Sequence, residues 1–245
     1  MIEIRGLKKS FGEKKVLRGI DLDIEQGETL AIIGRSGCGK SVLLKHIVGL
    51  LFPDDGYVKV EGEKISDKDQ QSLYTIRRRF GYLFQSAALF DSMTVEENVS
   101  LPLVENDYNF SQSKIDDLVA ENLELVGLPG IQKLKPSELS GGMKKRVGLA
   151  RALITDPDYI LYDEPTTGLD PVNSDAIDNL IKHISDKVRS TSIVITHDMF
   201  SVENVADKIA MVNEGQIHFT GTPDELKSSN DQIIVDFIKR TGFNG

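Results

Sequence analysis

Cysteine is almost missing from this 245-residue chain, which holds one, and tryptophan is missing altogether. A single thiol, Cys38, excludes a disulfide framework within the chain and fits a reducing compartment. Positive charge is short too. The 29 Lys and Arg stand against 38 Asp and Glu, a formal net charge of −9, which argues against a nucleic-acid partner bound by phosphate neutralisation. A nucleotide ligand, needing only a few local donors, stays open. No apolar run is long enough to span a bilayer. The longest, around residues 42–52, is interrupted by Lys45, His46 and Gly49, so any service to a membrane is expected from the water side. The opening Met1-Ile2-Glu3-Ile4-Arg5-Gly6 mixes charges into its apolar residues and does not read as a signal peptide. Repeats, low-complexity tracts and Pro/Gly linkers are absent, so one α/β core carrying a smaller lobe is the expected organisation.

What is present alternates strands with helices. Ile20, Leu22 and Ile24 alternate with Asp21, Asp23 and Glu25 as in a half-buried strand. The run Thr29 to Ile33, closed by Gly34, reads as a buried strand. A helix fits Lys40 to Leu50 with Leu43, Leu44, Ile47 and Leu51 on one face. Tyr57 to Val60 and Phe80 to Phe84 read as strands. From about 86 to 157 helical spacing takes over, with Ile115, Leu118, Val119, Leu123 and Val126 on one face, Ser111 or Ser113 as N-cap and Gly127 as stop. The sheet resumes with Tyr159 to Tyr162, Ser192 to Thr196 and Lys208 to Val212. The last pairs with Gln216 to Phe219 across Asn213-Glu214-Gly215. A C-terminal helix over 226–245 presents Ile233, Ile234, Phe237 and Ile238. The expected boundaries are a core from 1–85 and 158–225, a helical subdomain over 86–157, and that terminal helix. Such alternation implies a largely parallel sheet with its sites at the strand ends.

Gly34-Arg35-Ser36-Gly37-Cys38-Gly39-Lys40-Ser41 matches GxxxxGK[ST], the P-loop. Its glycines let backbone N–H groups converge on an anion, and the helix behind adds its N-terminal dipole. Lys40 is expected to reach the β- and γ-phosphates of ATP and the Ser41 hydroxyl to ligate Mg²⁺. Tyr159-Ile160-Leu161-Tyr162-Asp163-Glu164 is an apolar strand ending in two acids. Asp163 is assigned to the metal and Glu164 to the attacking water as general base. Leu139-Ser140-Gly141-Gly142-Met143 opens another Gly-rich helix, a second phosphate-binding surface.

With that third motif the chain resembles the ATP-binding cassette (ABC) family, whose LSGGQ signature shortly precedes the Asp-Glu strand. The resemblance runs over nearly the whole sequence. It implies a RecA-like P-loop NTPase core with an antiparallel β subdomain and an inserted helical subdomain. Phe11 then matches the aromatic that stacks on adenine, and Gln85 the glutamine that senses metal and water. Gly168-Leu169-Asp170 matches the D-loop, and His197 the switch histidine that contacts the γ-phosphate. His46, His183 and His218 keep structural readings. Met143 stands where the family has Gln, and its thioether is a weak acceptor. The family sandwiches each ATP between one subunit's P-loop and the other's signature, so a homodimer is implied.

A narrower likeness lies in Gly34 to His46 and in Leu83-Phe84-Gln85-Ser86-Ala87-Ala88-Leu89-Phe90-Asp91-Ser92-Met93-Thr94-Val95. Both are similar to cassettes of the Mla type, which serve MCE-domain phospholipid transporters of diderm bacteria. That likeness implies a separate integral-membrane permease, an MCE-domain lipid-binding protein, a small STAS-type regulator on the helical lobe, and a place on the cytoplasmic face of the inner membrane. An importer ATPase for a polar solute is the alternative. A DNA-repair or chromosome-structuring ATPase lacks support because no long heptad arm is present. Ala87, Ala88, Leu89, Phe90 and Met93 suit a partner's helix or the packing of the lobe. The C-terminal apolar face covers its own core or reaches across the dimer, the first being favoured. Asp67-Lys68-Asp69 and Arg77-Arg78-Arg79 read as solvated surface. Cys38, near Lys40 and a helix N-terminus, is expected to favour its thiolate and to be alkylated unless MgATP protects it, the alternative being an inert small residue that fills the turn.

Overall fold

The computed structural model describes residues 1–106, 108–188 and 190–241. Its first strand, β1 (Ile2–Phe11), is where the sequence pattern was least regular. Its pairing with β2 (Lys14–Ile24) shifts register around Gly6 and again near Lys9, so apolar alternation is lost although the ladder continues. β1 also pairs antiparallel with β4 (Asp55–Val60), which pairs with the short β5 (Glu63–Lys64). These four strands form one antiparallel sheet in the order β2-β1-β4-β5.

The second sheet has the order β10-β9-β3-β8-β7-β6. Its centre is β3 (Thr29–Ile33), buried at all five positions. Parallel neighbours are β8 (Thr191–Ile195) and β9 (Lys208–Asn213), then β7 (Tyr159–Asp163) and β6 (Phe80–Leu83). Strands covered on both faces by helices are continuously apolar for that reason. β10 (Gln216–Gly221) closes one edge antiparallel to β9. The loop between them puts Glu214 at φ +49° and Gly215 at φ +79°, the two-residue hairpin that Asn213-Glu214-Gly215 predicts.

Helix α1 (Lys40–Ile47) is shorter than its apolar pattern. Gly49 at φ +66° ends it, and a Cβ there would meet the Ile65 side chain at 2.9 Å. α2 (Gln70–Arg77) is capped by Asp69, whose carboxylate accepts from the Ser72 N–H. The Arg77-Arg78-Arg79 run is not merely solvated. Arg77 donates to the carbonyls of Val48 and Gly49, and Arg79 pairs with Glu61 and Asp158. Asp69 and Arg77 thus cap or tie down local turns that the sequence alone leaves as surface.

The helical lobe comprises α3 (Val95–Glu105), α4 (Gln112–Leu125) and α5 (Gly141–Leu153). Ser111 caps α4, and Gly127 at φ +70° follows its end. The lobe shares one core with the sheet: Val99, Leu123, Val147 and Leu149 pack in the same cluster as Leu83, Ile160 and Val194. Next come α6 (Pro171–Val188) and α7 (Met199–Val205). The C-terminal segment corrects the single helix expected over 226–245. It is α8 (Pro223–Lys227) and then α9 (Gln232–Arg240), because Asp231 caps a new helix by accepting from the N–H groups of Ile233 and Ile234. Residues 242–245 lie outside the described residues. Ile234 and Phe237 pack with Ala31, Ile33, Met199 and Met211 of the chain's own core, as favoured from the pattern, while Ile233 stays exposed.

Gly81 sets how closely α5 lies on β6. A Cβ there would come within 2.3 Å of the Ala152 carbonyl oxygen. Gly81→Ala is therefore expected to destabilise the fold by about 1–3 kcal/mol through overpacking. Urea unfolding checks this, and an unchanged midpoint would show that α5 moves aside at no cost.

Candidate nucleotide-binding site

Three neighbouring parallel strands deliver the chemistry to one edge. β3 runs into Gly34, β7 ends at Asp163, and β8 is followed by Thr196 and His197. Their register is fixed: Ile32 lies opposite Ile195, and Asp163 opposite Ile195 on the other side. Gly34 adopts φ +145°, and a Cβ on it would meet the Val212 carbonyl oxygen at 2.3 Å, so only glycine lets the loop leave the sheet here. Lys40 is buried, and its ammonium donates to the carbonyls of Gly34 at 2.8 Å and Arg35 at 3.2 Å. It is thereby held across the loop.

A cleft of about 650 Å³ opens over this edge. It gathers Phe11, Gly34, Arg35, Ser36, Gly37, Gly39, Lys40, Ser41, Gln85, Asp163, Glu164 and His197, which are the greater part of the residues that the sequence nominates. Phe11 is exposed at the end of β1, a face open to a planar base. Lys14, Val16 and Phe237 also line the cleft and were not anticipated there. Of these, Phe237 was legible only as an apolar residue of a C-terminal helix.

Burial raises the Asp163 carboxyl above its usual range, the nearby Glu164 adding to this. The Tyr82 hydroxyl, which donates to Oδ2 at 3.1 Å, acts in the opposite sense, as do Ser41 and Lys40. The Asp163 carboxylate, the Ser41 hydroxyl and the Gln85 amide are hard oxygen donors, the kind that suits Mg²⁺, and a cation would relieve the unfavourable burial of Asp163. Glu164 sits at φ +51°, a conformation a non-glycine residue adopts only when its surroundings hold it. Its N–H donates to the Ile195 carbonyl at 2.9 Å, and its Oε2 accepts from Thr167 Oγ1 at 3.0 Å. The same Oε2 lies 2.8 Å from His197 Nδ1. The carboxylate is mostly enclosed at 16% exposure, whereas the imidazole is 62% exposed.

Two basic residues that the sequence did not single out tie the helical lobe to this edge. Lys145 of α5 is buried and donates to the Gln85 carbonyl and, at 3.1 Å, to that of Glu164. Burial lowers its pKa, with Asp163 and Glu164 opposing. Arg151 donates to the carbonyls of Ala87 and Ala88, both at positive φ, and so stabilises the strained turn after Gln85. Ala87 is buried beneath that turn, while Phe84 and Phe90 remain exposed on a second cleft with Tyr74, Leu101 and Pro102. The apolar segment therefore divides between packing and display. His46 is buried and bonded to the Val42 carbonyl, and His218 meets Asp231, in keeping with structural readings.

The signature does not join the first cleft. Ser140 caps α5 by accepting from the Met143 N–H at 3.3 Å, and Ser140, Gly141 and Gly142 are not among the residues lining that cleft. Asp170 stands with the signature instead. It holds Asn173 through its N–H at 3.0 Å and its amide at 2.6 Å, and Asn173 abuts Gly142, where a Cβ would meet its Oδ1 at 2.9 Å. The P-loop and the signature are thus two separate Gly-rich surfaces of one chain.

Comparison with known proteins agrees with this geometry. The ABC transporter family model matches residues 17–167. The chain is 41% identical over 237 residues to a probable ribonucleotide transport ATP-binding protein, mkl, of Mycobacterium leprae, covering 97% of this chain and 68% of that protein. It is 39% identical over 239 residues to the intermembrane phospholipid transport system ATP-binding protein MlaF of Haemophilus influenzae, covering 98% and 90%. Among solved structures, the dimeric cassette MJ0796 in a post-hydrolysis state with ADP and phosphate superposes with a TM-score of 0.82 at 32% identity, covering 91% of this chain and 99% of that one. The chain belongs to the ABC transporter family. Within that family it is an ATPase subunit, similar to MlaF and to mkl alike.

Cys38 overturns its expectation. Its thiol is half-buried beside Gly34, and desolvation raises its pKa despite the opposing effect of Lys40. Alkylation by iodoacetamide at pH 7 is accordingly expected to be slower than that of free cysteine, and to go on accelerating with rising pH where the rate for free cysteine has levelled off. Labelling as fast as that of a low-pKa thiol would restore the original expectation.

Proposed function

We propose that two copies of this chain close around two ATP molecules, each held between the P-loop of one copy and Ser140-Gly141-Gly142 of the other. The observation that carries this is the separation of the two phosphate-binding surfaces within one chain. The dimeric MJ0796 cassette supports it. In each closed site the backbone of Gly34 to Gly39 and the Lys40 ammonium bind the phosphates, and Phe11 stacks on the base. Ser41 and Asp163, with Gln85 beside them, would hold Mg²⁺, which when bound offsets charge on the β- and γ-phosphates. Glu164 takes the proton of the water that attacks the γ-phosphorus. His197, already hydrogen-bonded to Glu164 through Nδ1, is placed to contact the γ-phosphate oxygens. Hydrolysis removes the contacts that favour the closed dimer, and reopening completes the stroke.

We further infer that the work done is phospholipid transport between membranes through a separate permease, from the cytoplasmic face of the inner membrane. The 39% identity to MlaF across 98% of the chain supports it. The cleft of about 520 Å³ beside Phe84, Phe90, Tyr74 and Pro102, adjoining Gln85, suits a permease helix. An MCE-domain protein and a STAS-type regulator on the helical lobe belong to the same reading. The mkl likeness favours a second reading, a polar solute such as a ribonucleotide. Copurification of the native complex separates them: an MCE-domain chain with bound phospholipid supports the first, and a soluble polar-solute receptor supports the second.

Glu164→Gln is expected to lower steady-state ATP hydrolysis roughly 10²-fold or more and to trap an ATP-bound dimer on size exclusion. Undiminished turnover removes Glu164 from its role. Ser140→Arg is expected to block dimer closure and hydrolysis while nucleotide binding to the P-loop persists in equilibrium titration; a dimer that still forms with ATP would overturn the shared-site reading.

A further inference from the structure

Behind the catalytic edge lies a buried polar chain that no part of the proposed mechanism uses. Asp178 projects from α6, Ser201 from α7, and Thr166 from the turn between Glu164 and the D-loop. They are 4%, 0% and 6% exposed. The Ser201 hydroxyl donates to Asp178 Oδ2 at 2.7 Å, and Ser201 Oγ lies 3.4 Å from Thr166 Oγ1. Since the Ser201 proton is committed to Asp178, the Thr166 hydroxyl is the donor to Ser201. Asp178 Oδ1 has no partner among the described residues.

A carboxyl in this place is costly. Ile177 and Ile181 on α6, and Met199 and Val202 on α7, are all buried nearby in sequence, so an aliphatic side chain would suit the seam between the helices. Burial pushes the Asp178 carboxyl up to about 6, the Ser201 bond opposing and Asp198 and Asp175 adding to the rise. A buried polar chain kept against that cost fixes one relative placement of the elements that carry it.

Those elements are informative. α6 begins directly after Asp170, whose partner Asn173 backs Gly142 of the signature. α7 begins directly after His197 and Asp198 and so carries the switch side of the P-loop cleft. Thr166 lies two residues from Glu164. We propose that Thr166, Ser201 and Asp178 are positioning residues that lock the helix following His197 to the helix following the D-loop, so that the Glu164–His197 contact and the chain's own signature half-site move as one unit.

In a closed dimer the signature of one copy faces the ATP of the other. The link would therefore tie the catalytic contact at one ATP to the half-site that the same chain presents to the second. It rests on the roles given above to Glu164 and His197.

The test uses the whole 245-residue chain. The double variant Asp178→Leu with Ser201→Ala removes the buried carboxyl together with its hydroxyl donor, leaving only the Thr166 hydroxyl without its acceptor, and it is expected to fold with a Tm close to the parent's. Its kcat for ATP is expected to fall about tenfold, as displacement of a catalytic group does, with KM unchanged. Thr166→Val, an isosteric break at the other end of the chain, is expected to do the same and decides the matter if the double variant does not fold. Asp178→Asn, which still accepts from Ser201, is expected to retain parental kcat. Parental kcat in the folded double variant or in Thr166→Val overturns the proposal, as does a loss in Asp178→Asn as deep as in the apolar variant. Glu164→Gln run alongside keeps the two readings apart. Full turnover there sinks the catalytic assignment, whereas an inactive Glu164→Gln beside fully active Asp178 and Thr166 variants sinks this link alone.

Discussion

Backbone hydrogen bonds between β3, β8 and β7 determine where the P-loop, the two acids and His197 can stand. Parallel pairing locks Ile32 beside Ile195 and Ile195 beside Asp163, so the loops leaving these strands emerge at one level. The P-loop, His197 and the Asp163-Glu164 pair follow from that ladder. Sliding any strand by a residue would turn its buried side chains to the opposite face, which the fully covered sheet forbids. Glu164 shows how tight the constraint is. Its positive φ is tolerated because its N–H is bound to Ile195, the residue that also sets the register.

The second constraint is the seam between the sheet and the helical lobe. Gly81 lets α5 approach β6, and Lys145 then reaches from α5 to the carbonyls that follow Leu83 and Asp163. A buried ammonium is unfavourable, as the lowering of its pKa records. Two backbone carbonyls and two nearby carboxylates compensate it. Lys145 therefore ties the position of the lobe to both Gln85 and Glu164.

Much of this was legible because the motifs are local. A P-loop, a strand ending in two acids and a Gly-rich helix start are each complete within eight residues, and their physics needs no knowledge of the rest. The hairpin at Asn213-Glu214-Gly215 and the cap at Ser111 were readable for the same reason. What failed to show depended on distance or on irregularity. β1 was hidden by its register shifts, and the break between α8 and α9 by an apolar stripe that runs on past Asp231. Lys145, Arg151 and Asp178 look like ordinary charged residues of amphipathic helices until the tertiary fold buries them. Cys38 was misread because a helix terminus and a lysine are visible in sequence, while the closeness of the Gly34 backbone is not. Desolvation then outweighs both.

Met143 is the remaining departure from the family signature, and the structure shows where its side chain lies. Its side chain packs against the core of the helical lobe, next to the cluster containing Leu139 and Val147. Its N–H is taken by Ser140 Oγ. A serine oxygen that accepts this bond still has its own proton to donate, and the N–H groups of Gly141 and Gly142 precede the first intrahelical acceptor. The groups this surface could offer to a phosphate are therefore one hydroxyl, two backbone amides and the helix dipole, all set by the cap and independent of the fifth signature side chain. An apolar residue at that position anchors the loop to the lobe by packing.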